Sequence, residues 1–185
     1  RQPRNMWADG AEDIDPETGY AAIRSNAQNR YVPNFSYGKG KIVWNFESVN
    51  MPAGTDGFLY LNGDTWHWNG AANGAGWIQI RIYPQDSTTK SSFKLHYDWT
   101  AEEFTLKESM NDIKTIELDT KVDPEDATKV NVTFSINGKV YYSGKKHNAF
   151  DLDGHKGVIF YSGFSGPFSP ECTIVFKSLD YEVYE

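Results

Sequence analysis

The segment "WIQIRIYP" (residues 77–84) alternates apolar side chains with aromatic and polar ones. In an extended strand, successive side chains point to opposite faces, and one face would carry Ile78, Ile80 and Ile82. The other face would carry Trp77, Gln79, Arg81 and Tyr83. Aromatic rings pack on the C–H faces of a pyranose, while amide and guanidinium groups donate directed hydrogen bonds to hydroxyls or carboxylates. The row therefore predicts a surface that binds a sugar, with packing beneath a neighbouring segment as the alternative.

Two further tryptophans precede this strand in "GDTWHWNG" (residues 63–70). If that segment is extended, Trp66 and Trp68 share one face and continue the aromatic row on a neighbouring strand. The Gly- and Asn-rich run at 69–76 then forms a rim loop between the two strands. His96, from a later strand candidate, completes the predicted ligand-binding residues. The four histidines show no spacing that is typical of a metal site.

Three carboxylates stand close together in "DIDPETG" (residues 13–19). Oxygen ligands at alternate positions can bind Ca²⁺, and on that basis the predicted metal ligands are Asp13, Asp15 and Glu17. Pro16 and Gly19 instead favour a turn whose carboxylates are solvated. The segment also lacks the full spacing of an EF-hand loop. Both interpretations stay open, and no other cofactor is predicted.

The chain has 185 residues and a formal net charge of −7. Its lysines and arginines are scattered, which argues against a nucleic-acid or anionic-membrane partner. No apolar run reaches the length of a membrane span, and the lone Cys172 excludes an intrachain disulfide. The length predicts one domain over residues 1–185. The start at Arg1, without Met or a signal peptide, is typical of a module excised from a larger protein, which we expect to be extracellular or at the cell surface.

Strand periodicity runs along the whole chain, and aromatic residues, which favour strands, make up 15% of it. The predicted strand regions are 41–49, 56–64, 77–84, 92–99, 112–122, 128–144, 156–166 and 172–184. Asn62-Gly63 and Asn137-Gly138 are predicted turns, the second within a hairpin. The only helical candidate lies at 100–112. About ten strands separated by turn signals predict an all-β fold, with two antiparallel sheets packed as a β-sandwich.

The second half of the chain resembles the concanavalin A-like jelly roll. The resemblance covers residues 110–185 and follows the strands "DIKTIELDTKV", "KVNVTFSINGKVYYSG", "GVIFYSGF" and "TIVFKSLDYEVYE". LamG-type and 3-keto-disaccharide hydrolase-type domains end in a similar series of strands. The matching positions are core and turn residues, so the resemblance bears on fold before function. It implies one convex and one concave sheet, with polysaccharide bound or cleaved along the concave face or at its rim.

The same resemblance implies what an enzyme on this fold would need. Family-sixteen glucanases carry alternate acids on a strand as nucleophile and acid/base, but here the first acid is Asp13 rather than Glu, and Pro16 interrupts the strand. Jelly-roll polysaccharide lyases carry a Gln-Ile-His or Gln-Val-His strand, and this chain has Gln79-Ile80-Arg81 instead. No motif joins the remaining catalytic candidates, which are Asp15, Glu17, His96 and Tyr161.

We therefore expect a non-catalytic, lectin-like module that binds a polysaccharide or oligosaccharide through the aromatic and polar row. One alternative is a glycoside hydrolase or polysaccharide lyase on the same fold, which would need two carboxylates, or a His/Tyr pair, in one cleft. The other alternative is an adhesive or structural surface module whose aromatic side chains are buried against another protein.

Overall fold

The protein is represented by a computed structural model, which describes residues 6–9, 13–25, 28–31, 40–52, 54–65, 78–95, 100–148, 158–166 and 171–184. Within these ranges the chain forms fourteen β-strands and one 3₁₀ helix (Met110–Asp112). The strands are β1 (Met6–Asp9), β2 (Asp13–Ile14), β3 (Ala21–Arg24), β4 (Gln28–Tyr31), β5 (Gly40–Asn50), β6 (Phe58–Thr65), β7 (Ile78–Ile82), β8 (Ser91–Leu95), β9 (Glu102–Phe104), β10 (Thr115–Asp123), β11 (Asp126–Ile136), β12 (Lys139–His147), β13 (Val158–Ser165) and β14 (Thr173–Val183). No helix in these ranges is long and apolar enough to cross a membrane.

The strands assemble into two antiparallel sheets of seven strands each. Sheet I has the order β1-β4-β13-β6-β7-β8-β9, and sheet II has the order β12-β11-β10-β5-β14-β3-β2. Several neighbours are far apart in the chain, since β13 pairs with β6 and β14 pairs with β5. The prediction of an all-β fold with two antiparallel sheets is confirmed.

The two sheets are held together by their apolar inner faces. In β7 the three isoleucines are fully buried, at 0% exposure, while Gln79 is half-buried and Arg81 is exposed. Phe93 of β8 lies parallel to Phe134 of β11, with ring centroids 5.1 Å apart and planes 6° apart. This stack joins sheet I to sheet II. Burial of one such side chain contributes about 1.5–3 kcal/mol to folding.

Most of the predicted strands are present. The regions 41–49 and 112–122 correspond to β5 and β10, and the hairpin predicted at 128–144 corresponds to β11 and β12. The inward positions of that hairpin are also correct, since Val130, Val132, Phe134 and Ile136 are all buried. The four strands β1–β4 are too short, or too polar, for the periodicity to predict them.

The predicted turn at Asn62-Gly63 is wrong. β6 continues through both residues to Thr65, and Asn62 is the register partner of Tyr161 on one side and Gln79 on the other. An Asn-Gly dipeptide favours a turn through local backbone preference. Here that preference is overridden because both edges of β6 are hydrogen-bonded to other strands.

The helical candidate at 100–112 is a strand followed by a single 3₁₀ turn. β9 pairs with β8 through Phe93 and Glu102, and the 3₁₀ helix covers Met110–Asp112. Ser109 begins this helix, and its side-chain oxygen accepts a hydrogen bond from the backbone N–H of Asn111. Edge pairing therefore decides the conformation of a segment whose helical periodicity is weak.

The predicted turn at Asn137-Gly138 is present and connects β11 to β12. Both residues have positive φ, at 50° and 78°, as a two-residue hairpin turn of this kind requires. The Asn137 Oδ1 accepts hydrogen bonds from the N–H groups of Lys114 and Thr115, at 2.7 and 3.0 Å. Its Nδ2 donates to the Asp112 carbonyl and to Glu108 Oε1, at 2.8 and 3.0 Å. The Asn137 side chain thus fixes the backbone of the residues that lead into β10.

We predict that Asn137→Gly lowers the free energy of unfolding by about 2–3 kcal/mol, because glycine keeps the positive φ but loses the four side-chain hydrogen bonds. Gly138→Asn is the matched control, since asparagine tolerates positive φ and open space surrounds a Cβ at that position. Urea unfolding followed by tryptophan fluorescence measures both. Equal stability of Asn137→Gly and wild type would contradict the anchoring role.

A buried ion pair closes one side of the sandwich. Lys146 of β12 has only 3% of its side chain exposed, and its Nζ donates to Glu102 Oε1 of β9 at 2.6 Å. The same ammonium lies 5.2 Å from the ring centroid of Tyr142. The pair connects an edge strand of sheet I to an edge strand of sheet II. Removing Glu102 would take the carboxylate away from an ammonium that has little contact with water, which is destabilising.

We predict that Glu102→Ala destabilises the fold by about 2–3 kcal/mol, somewhat less than for a fully buried pair because the carboxylate retains some solvent contact. The double variant Glu102→Leu/Lys146→Met removes both charges and should recover at least half of that loss. Chemical denaturation of both variants measures the difference. An undiminished stability of Glu102→Ala would show that water already solvates the ammonium.

Candidate functional site

The outer face of sheet I, turned away from the core, carries the polar and aromatic side chains of β6, β7 and β8. On β6 the buried Leu59 and Leu61 alternate with the partly exposed Phe58, Tyr60 and Asn62. On β8 the buried Ser91, Phe93 and Leu95 alternate with Ser92 and Lys94. The register of the three strands fixes which of these residues lie side by side.

Two rows of residues cross this face. In the first row, Gln79 of β7 is the register partner of Asn62 on β6 and of Lys94 on β8. In the second row, Arg81 is the partner of Tyr60 and Ser92, and Ser92 in turn is the partner of Glu103 on β9. Directly opposed side chains on one face have Cβ atoms about 4.5–5.5 Å apart. Amide, hydroxyl, ammonium and guanidinium groups therefore stand within reach of one bound molecule.

Three aromatic rings gather at one end of these rows. The ring centroids of Phe58 and Tyr83 lie 4.9 Å apart, and those of Phe58 and Tyr60 lie 6.2 Å apart. The Arg81 guanidinium carbon lies 5.5 Å from the Phe58 centroid. Burial raises the pKa of the Tyr60 phenol, so the hydroxyl is a neutral hydrogen-bond donor at physiological pH. The cluster offers ring faces and edges next to directed donors.

The backbone fixes the position of this cluster. The N–H of Tyr83 donates to the Ser91 Oγ at 2.9 Å, which ties the end of β7 to the beginning of β8. A cavity of about 280 Å³ opens at the same end of the sandwich, where residues 51–52, 54–55 and 84–86 meet the 3₁₀ helix. In the chain, Phe58 lies three residues after Thr55, and Pro84 directly follows Tyr83.

The structure brings together three of the predicted ligand-binding residues, Gln79, Arg81 and Tyr83, on the outer face of sheet I. Trp66, Trp68, Trp77 and His96 lie outside the described residues, so their part in the row stays a prediction. Trp77 directly precedes β7 in the chain.

The carboxylates predicted as metal ligands belong to the other sheet. Asp13 is in β2, an edge strand of sheet II. The Asp15 Oδ1 accepts hydrogen bonds from the N–H groups of Glu17 and Thr18, at 2.8 and 3.5 Å, and chiefly the bond from Glu17 lowers the pKa of Asp15. Asp15 and Glu17 are exposed, and the Asp15 carbonyl accepts from the Gly19 N–H at 2.7 Å. The segment is a turn, as Pro16 and Gly19 indicated.

Within the described ranges, no group of three or more His, Cys, Asp or Glu side chains could hold a metal ion. The side chain of Asp13 is not described, so calcium binding by Asp13, Asp15 and Glu17 stays a prediction. If an ion does bind there, the oxygen that Asp15 uses to close the turn must be shared with it.

Six residues of this face are absent from the sequence prediction: Phe58, Tyr60, Asn62, Ser92, Lys94 and Glu103. The signal for the first three is present in "DGFLYLNGD", since two leucines at alternate positions imply an inward face and leave the residues between them outward. The interpretation of Asn62-Gly63 as a turn hides this alternation, because it ends the strand before Asn62. For Lys94, the neighbours Phe93 and Leu95 carry the same signal on β8.

No protein-family model matches the chain, and no curated protein sequence matches it. Solved structures do. The carbohydrate recognition domain of Emp47p is 12% identical with a TM-score of 0.63, and the match covers 100% of this chain and 91% of that one. A glycoside hydrolase family 16 endo-glucanase from Bacteroides ovatus is 11% identical with a TM-score of 0.57, covering 91% of this chain and 83% of that one.

Alginate lyase A1-II′ is 9% identical with a TM-score of 0.54, and the match covers 96% of this chain and 85% of the lyase chain. The related carbohydrate recognition domain of Emp46p has been solved in potassium-bound and metal-free forms. These structures share the concanavalin A-like jelly roll, and this chain has the same fold. At such identities the similarity establishes the fold and not the activity. The resemblance predicted for residues 110–185 is confirmed.

The two faces of β7 should respond differently to truncation. We predict that Ile80→Ala lowers the free energy of unfolding by about 2–5 kcal/mol because it leaves a cavity between the sheets. Gln79→Ala on the next position of the same strand should change stability by about 0.5 kcal/mol or less. Thermal and urea unfolding of the pair test this. Comparable losses for the two variants would show that Gln79 supports the fold.

Proposed function

We propose that this protein is a non-catalytic carbohydrate-binding module that recognises a polysaccharide through the outer face of sheet I. The observation that carries the proposal is the combination of the ring cluster of Phe58, Tyr60 and Tyr83 with the polar side chains of Gln79 and Arg81. A sugar presents apolar C–H patches beside hydroxyls, and this face offers rings beside hydrogen-bond donors.

The chemistry of this face supports binding. Within the described residues, Gln79 makes no side-chain hydrogen bond to the protein, so its amide can donate to and accept from a ligand. Phe58 and Tyr60 lie on β6, whose inner residues Leu59 and Leu61 are fully buried, and Tyr83 directly follows β7, so core packing holds the backbone beneath the rings in place. A pre-organised surface loses little conformational entropy on binding.

The relatives in structure support a carbohydrate ligand without choosing the role. One of the three is the carbohydrate recognition domain of Emp47p, and the other two are a glucanase and an alginate lyase. The locations of the candidate catalytic carboxylates favour binding over hydrolysis. Asp15 and Glu17, the carboxylates that the sequence offers for catalysis, lie in a turn at the edge of sheet II, whereas Gln79 and Arg81 lie on sheet I. The two carboxylates therefore cannot line a cleft on the outer face of sheet I together with Gln79 and Arg81.

The wider context is part of the same proposal. We place the module in a larger extracellular or cell-surface protein, where polysaccharides are accessible. Calcium is not required for the contacts proposed on sheet I. The segment with Asp13, Asp15 and Glu17 is the place where we expect a calcium ion, if calcium stabilises the module, and a calcium-dependent rise in melting temperature would report it.

We predict that Tyr83→Ala weakens polysaccharide binding by about 1–3 kcal/mol, the range measured when an aromatic stacking partner of a nucleobase is removed. Gln79→Ala should weaken it by about 1 kcal/mol through a lost hydrogen bond. The matched control is Asn131→Ala, because Asn131 is an exposed amide on β11 of sheet II. Affinity electrophoresis in gels that contain neutral or acidic polysaccharides, followed by calorimetric titration, measures the differences.

The outcomes separate the three functions. Retarded migration that Tyr83→Ala abolishes and Asn131→Ala leaves unchanged supports the binding module. Release of reducing ends, or of unsaturated products detected by absorbance, would identify an enzyme instead. Absence of binding to every polysaccharide, together with stable dimers or larger assemblies in light scattering, would favour the adhesive or structural module.

A further inference from the structure

We infer that the polysaccharide bound by this protein is acidic, and that Arg81 binds the carboxylate of a uronic acid residue in it. The inference rests on the proposed function and names its ligand class. It depends on how Arg81 is held, on the residues around it, and on how the other basic side chains of the protein are used.

Arg81 is an exposed cation without a carboxylate partner in the described part of the chain. Its one recorded contact there is with the face of the Phe58 ring, at 5.5 Å from the guanidinium carbon to the ring centroid. A cation over a ring is attracted by the negative π face. This contact holds the guanidinium on the outer face of sheet I but satisfies none of its five N–H donors.

Other basic side chains are used differently, since six of them are ion-paired within the described residues. The pairs are Arg24–Glu171, Lys41–Glu117, Lys139–Glu108, Lys145–Asp123, Lys146–Glu102 and Lys177–Glu47. Every one of these cations lies on a strand of sheet II. A chain with a net charge of −7 has ample carboxylates to pair with Arg81 as well. Arg81, on β7 of sheet I, belongs to none of these six pairs.

The surroundings of Arg81 match a sugar acid. Its register partners Tyr60 and Ser92 each present a hydroxyl, and Gln79 lies two positions away on the same strand and face, at about 6.6 Å. Lys94 on β8 is the diagonal neighbour of Arg81. Glu103 lies at the far end of the row, with Ser92 between it and Arg81. A guanidinium fork binds a planar carboxylate through two parallel hydrogen bonds, while hydroxyls and an amide bind the ring hydroxyls.

The test compares one polymer with and without its charge. The probes are polygalacturonate, the same polymer with its carboxylates methyl-esterified, alginate, hyaluronan, dextran sulfate and a neutral β-glucan. Binding of wild type, Arg81→Gln and Arg81→Lys is measured by calorimetric titration. The control is Arg24→Gln, which removes an arginine from the edge region of sheet II, and thermal unfolding establishes that each variant is folded.

We predict that wild type binds at least one of the three carboxylate polymers about tenfold or more tightly than it binds the esterified polymer or the neutral glucan. Arg81→Gln should remove that preference, so that the variant binds the carboxylate polymers no more tightly than it binds the esterified polymer. Arg81→Lys should retain only part of it, since an ammonium cannot form the two-bond fork. Arg24→Gln should behave as wild type, which excludes a general effect of net charge.

Equal affinity for charged and uncharged polymers would overturn the inference while leaving the proposed function intact. Binding of dextran sulfate alone would also overturn it, because the site would then recognise a sulfate and not a carboxylate. A carboxylate preference that survives in Arg81→Gln would assign recognition to another residue. Failure to bind any polymer would count against the proposed function itself, and that result is distinct from the other three.

Discussion

The rest of the structure depends on one constraint, which is that the apolar inner faces of the two sheets must pack against each other. The stack of Phe93 on Phe134 is one contact between those faces. Side chains in a strand alternate, so fixing the inward positions also fixes every outward one. A slip of one residue in β7 would place Ile78, Ile80 and Ile82 in water and bury Arg81. The position of Gln79 and Arg81 on an exposed surface is thus a consequence of core packing, not of any contact that those two residues make.

The two sheets use their polar groups in opposite ways. On sheet II, lysines pair with carboxylates, as in Lys41–Glu117, and Tyr184 donates to Asp119 Oδ1. Burial and the nearby Asp119 charge raise the pKa of Tyr184 to about 12. Polar groups there neutralise one another. On sheet I, Arg81 has no carboxylate partner among the described residues, and its guanidinium lies over the Phe58 ring.

Some side-chain contacts that stabilise the fold lie away from the outer face of sheet I. Asn137 holds the approach to β10, and Lys146 with Glu102 ties the edges of the two sheets together. These contacts are local and independent of the outer face of sheet I. A carbohydrate recognition domain, an endo-glucanase and an alginate lyase, each 9–12% identical to this chain, share its jelly-roll fold, which shows that one backbone architecture can present different functional side chains.

The sequence by itself determined the inward face of β7, the hairpin at Asn137-Gly138 and the turn at Pro16–Gly19, because each follows from alternation or from the backbone preference of one or two residues. Only the tertiary structure decided the conformation of Asn62-Gly63, where pairing with β7 and β13 outweighs the local preference for a turn. It alone also decided that Asp15 lies in a turn beside β2 of sheet II, while Arg81 lies on β7 of sheet I. Which strands become neighbours depends on contacts between residues far apart in the chain, and periodicity within a single strand carries no information about them.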